Sequence, residues 1–152
     1  MANLSQLLSR AHELCEKRGV RLTSQRERVY EIIVNSKRAI SAYDLLDVLK
    51  KTEPQAKPPT VYRALDFLLA QGFIHKVESA NSFIACCLPG HEQHCSQLLI
   101  CDVCSAVEEC HTDDLSSALQ EKASVLGFRV SHHVVETHGV CQACNVAQKK
   151  MQ

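Results

Sequence analysis

The sequence predicts an α+β protein of two small domains, the first arranged as a winged helix-turn-helix. Three observations carry this. Four segments with helical apolar spacing precede two short strand-like segments, the order of helices and hairpin in a winged helix. Eight of nine cysteines and six of eight histidines fall after residue 85, which marks the back half as chemically distinct. Charge also changes sign along the chain. Residues 1–78 carry 13 Lys/Arg against 9 Asp/Glu, and residues 79–152 carry 4 against 8. A basic front half suits a polyanion, and an acidic back half does not.

The elements follow in order. Leu4, Leu7, Leu8, Ala11 and Cys15 form one stripe of a helix near Leu4 to Arg18, and Gly19 stops it. TSQRE opens a second helix, with Ser24 and Glu27 as a capping box and Val29, Ile32 and Ile33 as its buried stripe. SAYD opens a third, in which Ser41 caps, Asp44 takes the capping-box position, and Ala42, Leu45, Leu46 and Leu49 point inward. Pro54 closes that segment. The fourth lies in KPPTVYRALDFLL. Pro58 and Pro59 hold the approach extended and Thr60 is the expected N-cap. Val61, Ala64, Leu65, Leu68 and Leu69 share one side, Tyr62, Arg63 and Asp66 the other, with Phe67 at the boundary. Gly72 ends the helix. FIHKVE and SFIACC then read as two strands joined by SANS, the wing.

The first domain is therefore expected over residues 1–87. LPGHEQHCS, residues 88–96, reads as a hinge, and residues 97–152 as the second domain. There, QLLIC and SAVEEC read as strands separated by the CDVC turn. TDDLSSALQEKASVLG reads as a helix capped by Thr112, with Asp113 and Asp114 at its positive end and Leu115, Leu119, Lys122 and Leu126 on one face. FRVSHHVVETHG reads as a strand, followed by CQAC and a polar tail.

Cys101-Asp-Val-Cys104 and Cys141-Gln-Ala-Cys144 carry the strongest chemical signal. Two residues between cysteines let a tight turn aim both sulfurs at one point, and two such turns supply four thiolates for a tetrahedral zinc. The gap between the pairs is longer than the usual ribbon spacing of about 15–20 residues, and a helix plus a strand fills it. A closed four-cysteine site is structural, because it keeps no coordination position for a substrate. The single redox dithiol of thioredoxin-like proteins is the competing pattern, and two matched pairs disfavour it.

Composition excludes other classes. No apolar run approaches the ~20 residues of a membrane helix. MANLSQLLSRAHELCEKRG lacks the layout of a signal peptide, so a soluble cytoplasmic protein is expected. An odd cysteine count without an export signal argues against a disulfide framework.

A second set of metal-ligating side chains surrounds the hinge: His75, Cys86, Cys87, His91, His94, Cys95, Glu108, Glu109, Cys110 and His111. Ligands drawn from wing, hinge and far domain would make domain orientation depend on metal occupancy. Spacing alone does not choose among these neighbours.

The stretch SAYDLLDVLKKTEPQAKPPTVYRALDFLLAQGFIHKVES, with RLTSQRERV before it and HGVCQAC after it, resembles the zinc-responsive branch of the ferric uptake regulator superfamily. The carriers of the likeness are a proline-led Thr-Val-Tyr-Arg-Ala-Leu helix, two Cys-x-x-Cys pairs, and hinge His and Cys residues in the expected order. The resemblance implies a dimeric, metal-dependent repressor whose back half is an α/β dimerisation domain. By position, it assigns Cys101, Cys104, Cys141 and Cys144 to a structural zinc. His75, Cys86, His94 and Glu109 match a regulatory zinc site, which makes two zinc ions per subunit. Tyr62 and Arg63 match the DNA-contacting pair of the recognition helix. Cys87, Cys95 and Cys110 adjoin proposed ligands, and His132 and His133 lie where relatives carry a further metal-linked histidine. These five stay unassigned.

A ligand set containing thiolate favours zinc over iron(II), in agreement with the likeness. On this basis the protein is expected to be a zinc-responsive repressor of zinc-uptake genes, not an enzyme. Its zinc-loaded homodimer is expected to bind palindromic operators in double-stranded DNA. Arg63 is suited to guanine O6 and N7, and Tyr62 to an apolar or phosphate contact. Thr60 sets where the recognition helix starts, and Lys57, Arg21 and Lys76 are candidates for phosphate contacts. The alternatives are an iron or peroxide sensor of the same superfamily, or a zinc or thiol enzyme, which needs an open metal position or an exposed low-pKa dithiol.

Overall fold

The computed structural model describes residues 3–36, 38–90 and 97–151. The chain separates into two compact units, Met1–Gly90 and His91–Gln152.

The first unit opens with helix α1 (Leu4–Arg18). The Asn3 side chain accepts from the Gln6 N–H while the Gln6 side chain accepts from the Asn3 N–H, so both ends of a capping box are closed. Gly19 ends the helix with φ +65°, a conformation that costs glycine little. Leu7, Ala11, Leu14 and Cys15 are the buried stripe. Leu14 also meets the chain near residue 90. A Cβ on Gly90 would stand 2.8 Å from Leu14 Cδ1, and its φ of +95° disfavours any other residue there.

Helix α2 (Ser24–Asn35) buries Val29, Tyr30, Ile32 and Ile33. Its cap lies one residue earlier than expected. Thr23, not Ser24, is the N-cap and accepts from the Arg26 N–H, so Glu27 is not in a capping box. Strand β1 (Ile40–Ser41) leads directly into helix α3 (Ala42–Lys50), which Ser41 caps by accepting from the Asp44 N–H. Leu45, Leu46 and Leu49 are its inward face.

Helix α4 (Pro58–Ala70) starts two residues before the expected point. Lys57 is the N-cap, Pro58 and Pro59 are the first two helical residues, and Thr60 lies inside the first turn. The reason is steric and electrostatic at once. Proline's fixed φ already fits a helix, and the N–H it lacks would have had no partner in the first turn. The expected stripe is otherwise in place, with Val61, Ala64, Leu65 and Leu68 buried.

Strands β2 (Ile74–Val77) and β3 (Ser82–Ala85) form the wing, joined by a 3₁₀ turn over Glu78–Ala80 and by Asn81 at φ 45°. β3 pairs antiparallel with both β1 and β2, giving the order β1-β3-β2. A contiguous core runs from Leu7 through Leu45, Leu65 and Phe73 to Phe83.

The second unit is built on strand β4 (Gln97–Cys101). It pairs antiparallel with β5 (Val107–Cys110) and parallel with β6 (Val135–Gly139). Between β5 and β6 runs helix α5 (Asp113–Val125). Thr112 precedes it without capping it. Its hydroxyl donates instead to Gln97 Oε1 at 2.8 Å, and Gln97 Nε2 donates back to the Thr112 carbonyl. β6 is shorter than the expected strand, which ran from Phe128. The polar tail is helical: Gln142–Lys150 form helix α6, which Cys141 opens.

The two units differ in how they are held. Among the described residues of the second, only Leu98 and Cys101 are buried apolar side chains, and α5 buries none. Leu115, Leu119, Val125, Leu126 and Phe128 are exposed.

Leu68→Ala, at a fully buried position of α4, is expected to destabilise the first unit by about 2–5 kcal/mol. Urea unfolding followed by circular dichroism checks this; a loss below about 1 kcal/mol would contradict the packing described.

Candidate nucleic-acid interface and metal centres

The polar face of α4 is positioned by arginines from neighbouring helices. Arg26 on α2 lays its guanidinium over the Phe67 ring at 3.9 Å from the centroid and donates to the Arg21 carbonyl at 2.7 Å. Arg18 on α1 donates to the Gln71 carbonyl at 2.8 Å and to its side chain at 3.1 Å. A cation at a helix C-terminus also meets the negative end of the dipole. Held from the side and from its end, α4 presents Tyr62, 56 % exposed, and Arg63 to solvent. Lys57 and Arg21 are exposed as well, Thr60 is half-buried in the first turn, and Lys76 on the wing pairs with Glu78 at 3.2 Å. Sequence reasoning overlooked Tyr43, 74 % exposed in the first turn of α3.

In the second unit, β4 and β6 bring the cysteine pairs together. Their parallel register sets Cys101 beside Gly139, so Cys141 follows two residues later. The Asp102 N–H donates to the Gly139 carbonyl at 2.8 Å, and the Cys141 N–H donates to Cys101 Sγ at 3.3 Å. The first pair is turned by a Ser105 N–H bond to the Cys101 carbonyl, with Ser105 at φ 59°. The second pair straddles the N-terminus of α6, where the helix dipole favours thiolate.

The sulfurs of Cys101, Cys104, Cys141 and Cys144 all lie within 4.8 Å of one another, with Cys104 and Cys141 3.8 Å apart. Zinc–sulfur bonds of about 2.3 Å in a tetrahedron separate sulfurs by about 3.8 Å. The donor set fits zinc. Backbone N–H groups, that of Cys141 first, hold Cys101 down at about 6. Hydrogen bonding with the Cys141 and Cys104 sulfurs pushes Cys144 up to about 12. Without a cation the cluster resists full ionisation, and a divalent metal removes that resistance.

His138 links the two turns further, which spacing gave no reason to expect. Its Nδ1 lies 3.1 Å from Asp102 Oδ1, inside the first pair, and its Nε2 lies 3.5 Å from Glu136 Oε2.

Of the second ligand set, His75 and Cys86 lie together in the first unit. The Cys86 N–H donates to the Phe73 carbonyl at 2.9 Å, continuing the β2–β3 ladder by one bond. That register puts both side chains on one face, and a His75 ring nitrogen lies within 4.8 Å of the Cys86 sulfur. In the second unit Glu109 sits on β5 opposite Leu98, 3.8 Å from His111 Nε2, and Glu108 lies opposite Leu99. His94, His91 and Cys95 lie outside the described residues. Cys87 is exposed, and the Cys110 thiol donates to the Gln97 carbonyl at 3.5 Å. Among the described residues, His132 and His133 join no group of three metal-ligating side chains.

Residues 17–145 match the profile of the ferric uptake regulator family. The zinc uptake regulation protein of Escherichia coli strain K12 is 51 % identical over 139 residues, covering 91 % of this chain and 81 % of that one. The peroxide operon regulator of Bacillus subtilis strain 168 is 32 % identical over 140 residues, 91 % of this chain and 93 % of that one. A solved structure of a zinc uptake regulator complexed with zinc and DNA superimposes with a TM-score of 0.94 at 48 % identity, covering 98 % of this chain and 99 % of that one.

Cys104→Ser is expected to cost the protein one tightly held zinc and the cooperative unfolding of residues 97–151, while the first unit keeps its helical signal. Metal analysis with hydrogen exchange resolved by segment checks both. Protection in the second unit equal to that of the parent would overturn a folding role for the sulfur cluster.

Proposed function

The chain belongs to the ferric uptake regulator family, and from that premise we propose that it is a zinc-responsive transcriptional repressor of zinc-uptake genes. The observation that carries this reading is half-identity to a zinc uptake regulation protein along nearly the whole chain. The residues support it independently. An exposed tyrosine–arginine pair on a proline-led helix suits the major groove, and the same unit carries a His75–Cys86 pair of metal-binding chemistry.

In this reading Cys101, Cys104, Cys141 and Cys144 hold a structural zinc, and His75, Cys86, His94 and Glu109 hold an exchangeable one. Bound zinc supplies charge neutralisation and a fixed ligand geometry. Arg63 reads guanine through O6 and N7, Tyr62 contacts a methyl group or phosphate, and Thr60, Lys57, Arg21 and Lys76 line the phosphate path. A thiolate among the exchangeable ligands favours zinc over iron(II). Moving most of the population to the DNA-competent state takes roughly 5 kcal/mol of differential zinc binding, within the range of one tight site.

The active species is a homodimer on a palindromic operator. The exposed apolar side chains of α5 and the turn after it, Leu119, Leu126 and Phe128 among them, support a second copy as their cover. Among the described residues, no helix is long and apolar enough to cross a membrane, and the reading places the protein in the cytoplasm. It is not an enzyme in this reading, because a four-cysteine site keeps no position open for substrate.

The decisive experiment is binding of the purified protein to promoter DNA from its own zinc-uptake genes across a buffered free-zinc series. Affinity is expected to rise steeply with zinc and to fall at least tenfold in Arg63→Ala, with zinc content unchanged. Equal binding with and without exchangeable zinc would refute the reading, and a rise with iron(II) alone would favour the iron-sensing alternative.

Cys86→Ser is expected to stay folded and dimeric and to lose zinc-dependent DNA binding. Sedimentation and anisotropy measured on one preparation check this. Full zinc response in that variant moves the sensor elsewhere.

A further inference from the structure

The Cys101–Cys104 turn is held by little apolar packing. Val103 inside it is exposed, and so is Val140, the residue before Cys141. Polar contacts must then fix the angle at which the first cysteine pair meets the second. Asp102, between the two cysteines of the first pair, makes two such contacts with β6. Its N–H donates to the Gly139 carbonyl at 2.8 Å, and its Oδ1 lies 3.1 Å from His138 Nδ1. A carboxylate only accepts, so the second bond requires the proton on Nδ1. The imidazole is held from its other side as well. Its Nε2 faces Glu136 Oε2 at 3.5 Å, and Glu136 lies two residues back on the same face of β6. Together with Cys101 and Cys141, His138 lines a groove of about 350 Å³. A carboxylate–imidazole–carboxylate row thus runs from β6 into the middle of the first pair, along a groove bordered by two of the four cysteines.

We propose that His138 is a positioning residue for the structural zinc: through Asp102 it sets the angle of the Cys101–Cys104 turn and so keeps all four sulfurs at the separations one zinc requires. This rests on the four cysteines being the ligands of that zinc, as argued above. The Asp102–Gly139 bond alone leaves the turn free to pivot about a single contact. A bond from the Asp102 side chain to the neighbouring residue of the same strand removes that rotation. Both partners are well exposed, so their pairing adds little to overall stability. Its effect falls on ligand geometry, where a displacement of about 0.5 Å is already felt.

The test is a double-mutant cycle of His138→Phe and Asp102→Ala, made singly and together, on protein stripped of exchangeable zinc. Release of the structural zinc to excess chromophoric chelator is timed, and cobalt(II) is then placed in the four-cysteine site. Each single variant is expected to release zinc about tenfold faster, as loss of an outer-shell partner does. The double variant is expected to be no faster than either single one, because the two side chains act as a unit. His138→Asn puts an amide nitrogen where Nδ1 stands and is expected to restore slow release. His138→Gln reaches toward the Nε2 position instead and is expected to behave like His138→Phe. The visible bands of tetrahedral cobalt are expected to weaken and shift in His138→Phe and His138→Gln and to keep the parent form in His138→Asn. A residue that merely stabilised the fold would lower the melting temperature without ordering the variants in this way. Release effects that multiply in the double variant, or parent-like cobalt bands in His138→Phe, would overturn the role of His138. Full zinc content and an unaltered cobalt spectrum in Cys104→Ser would instead overturn the ligand assignment on which this rests.

Discussion

Four sulfurs drawn to within 4.8 Å of one another form a constraint that everything after residue 96 must satisfy. Neutral thiols gain little from that proximity, and four thiolates repel. The opposed shifts of Cys101 and Cys144 express this conflict: backbone donors favour charge at one sulfur while neighbouring sulfurs disfavour it at another. A divalent cation resolves both demands at once. The need is acute because, among the described residues, β4 contributes the only buried apolar side chains of the unit. A three-stranded sheet with two helices that bury no side chain does not hold by apolar burial alone. The parallel β4–β6 pairing, the Asp102–Gly139 bond and the His138 bridge all converge on the same few residues, so sheet register and sulfur geometry are one problem with one solution.

The first unit answers the opposite problem. Its core is continuous and needs no ion, so its polar face is free for recognition. What matters there is the angle and start of α4. Two prolines fix the start by removing conformations rather than adding contacts. Arg26 and Arg18 then hold the helix from α2 and α1. Neither arginine needs to approach a ligand to matter, since a recognition helix that rocks presents Arg63 over a range of positions.

Local rules were legible and long-range ones were not. The bounds of α1, the stripe of α4 and the two Cys-x-x-Cys turns follow from spacing within a few residues, and they stand. Where two residues of similar chemistry adjoin, as Thr23 and Ser24 do, spacing cannot choose the cap, and the structure selects Thr23. Thr60 was misplaced because proline suits both an extended approach and the first helical turn. Helix α6 was missed because QACNVAQKK has no wide apolar stripe; it is anchored through Cys141 and Cys144 at its start. The Asp102–His138 bridge and the Tyr30–Phe73 contact join residues 36 and 43 positions apart, which no periodicity encodes.

In the proposed reading, the placement of Cys86 bears on why a sensor would use a buried wing residue at all. A thiol in an apolar core is inert and stays protonated without strain. An exposed thiolate would bind metal over a broad range of concentrations and would oxidise. Cys86 is shielded from water, so a metal bound there must itself supply the charge that solvent cannot. His75, half-exposed one register step away, supplies a ring nitrogen on the same face. The pair therefore combines a buried sulfur with a half-exposed nitrogen, one donor shielded from solvent and one open to it.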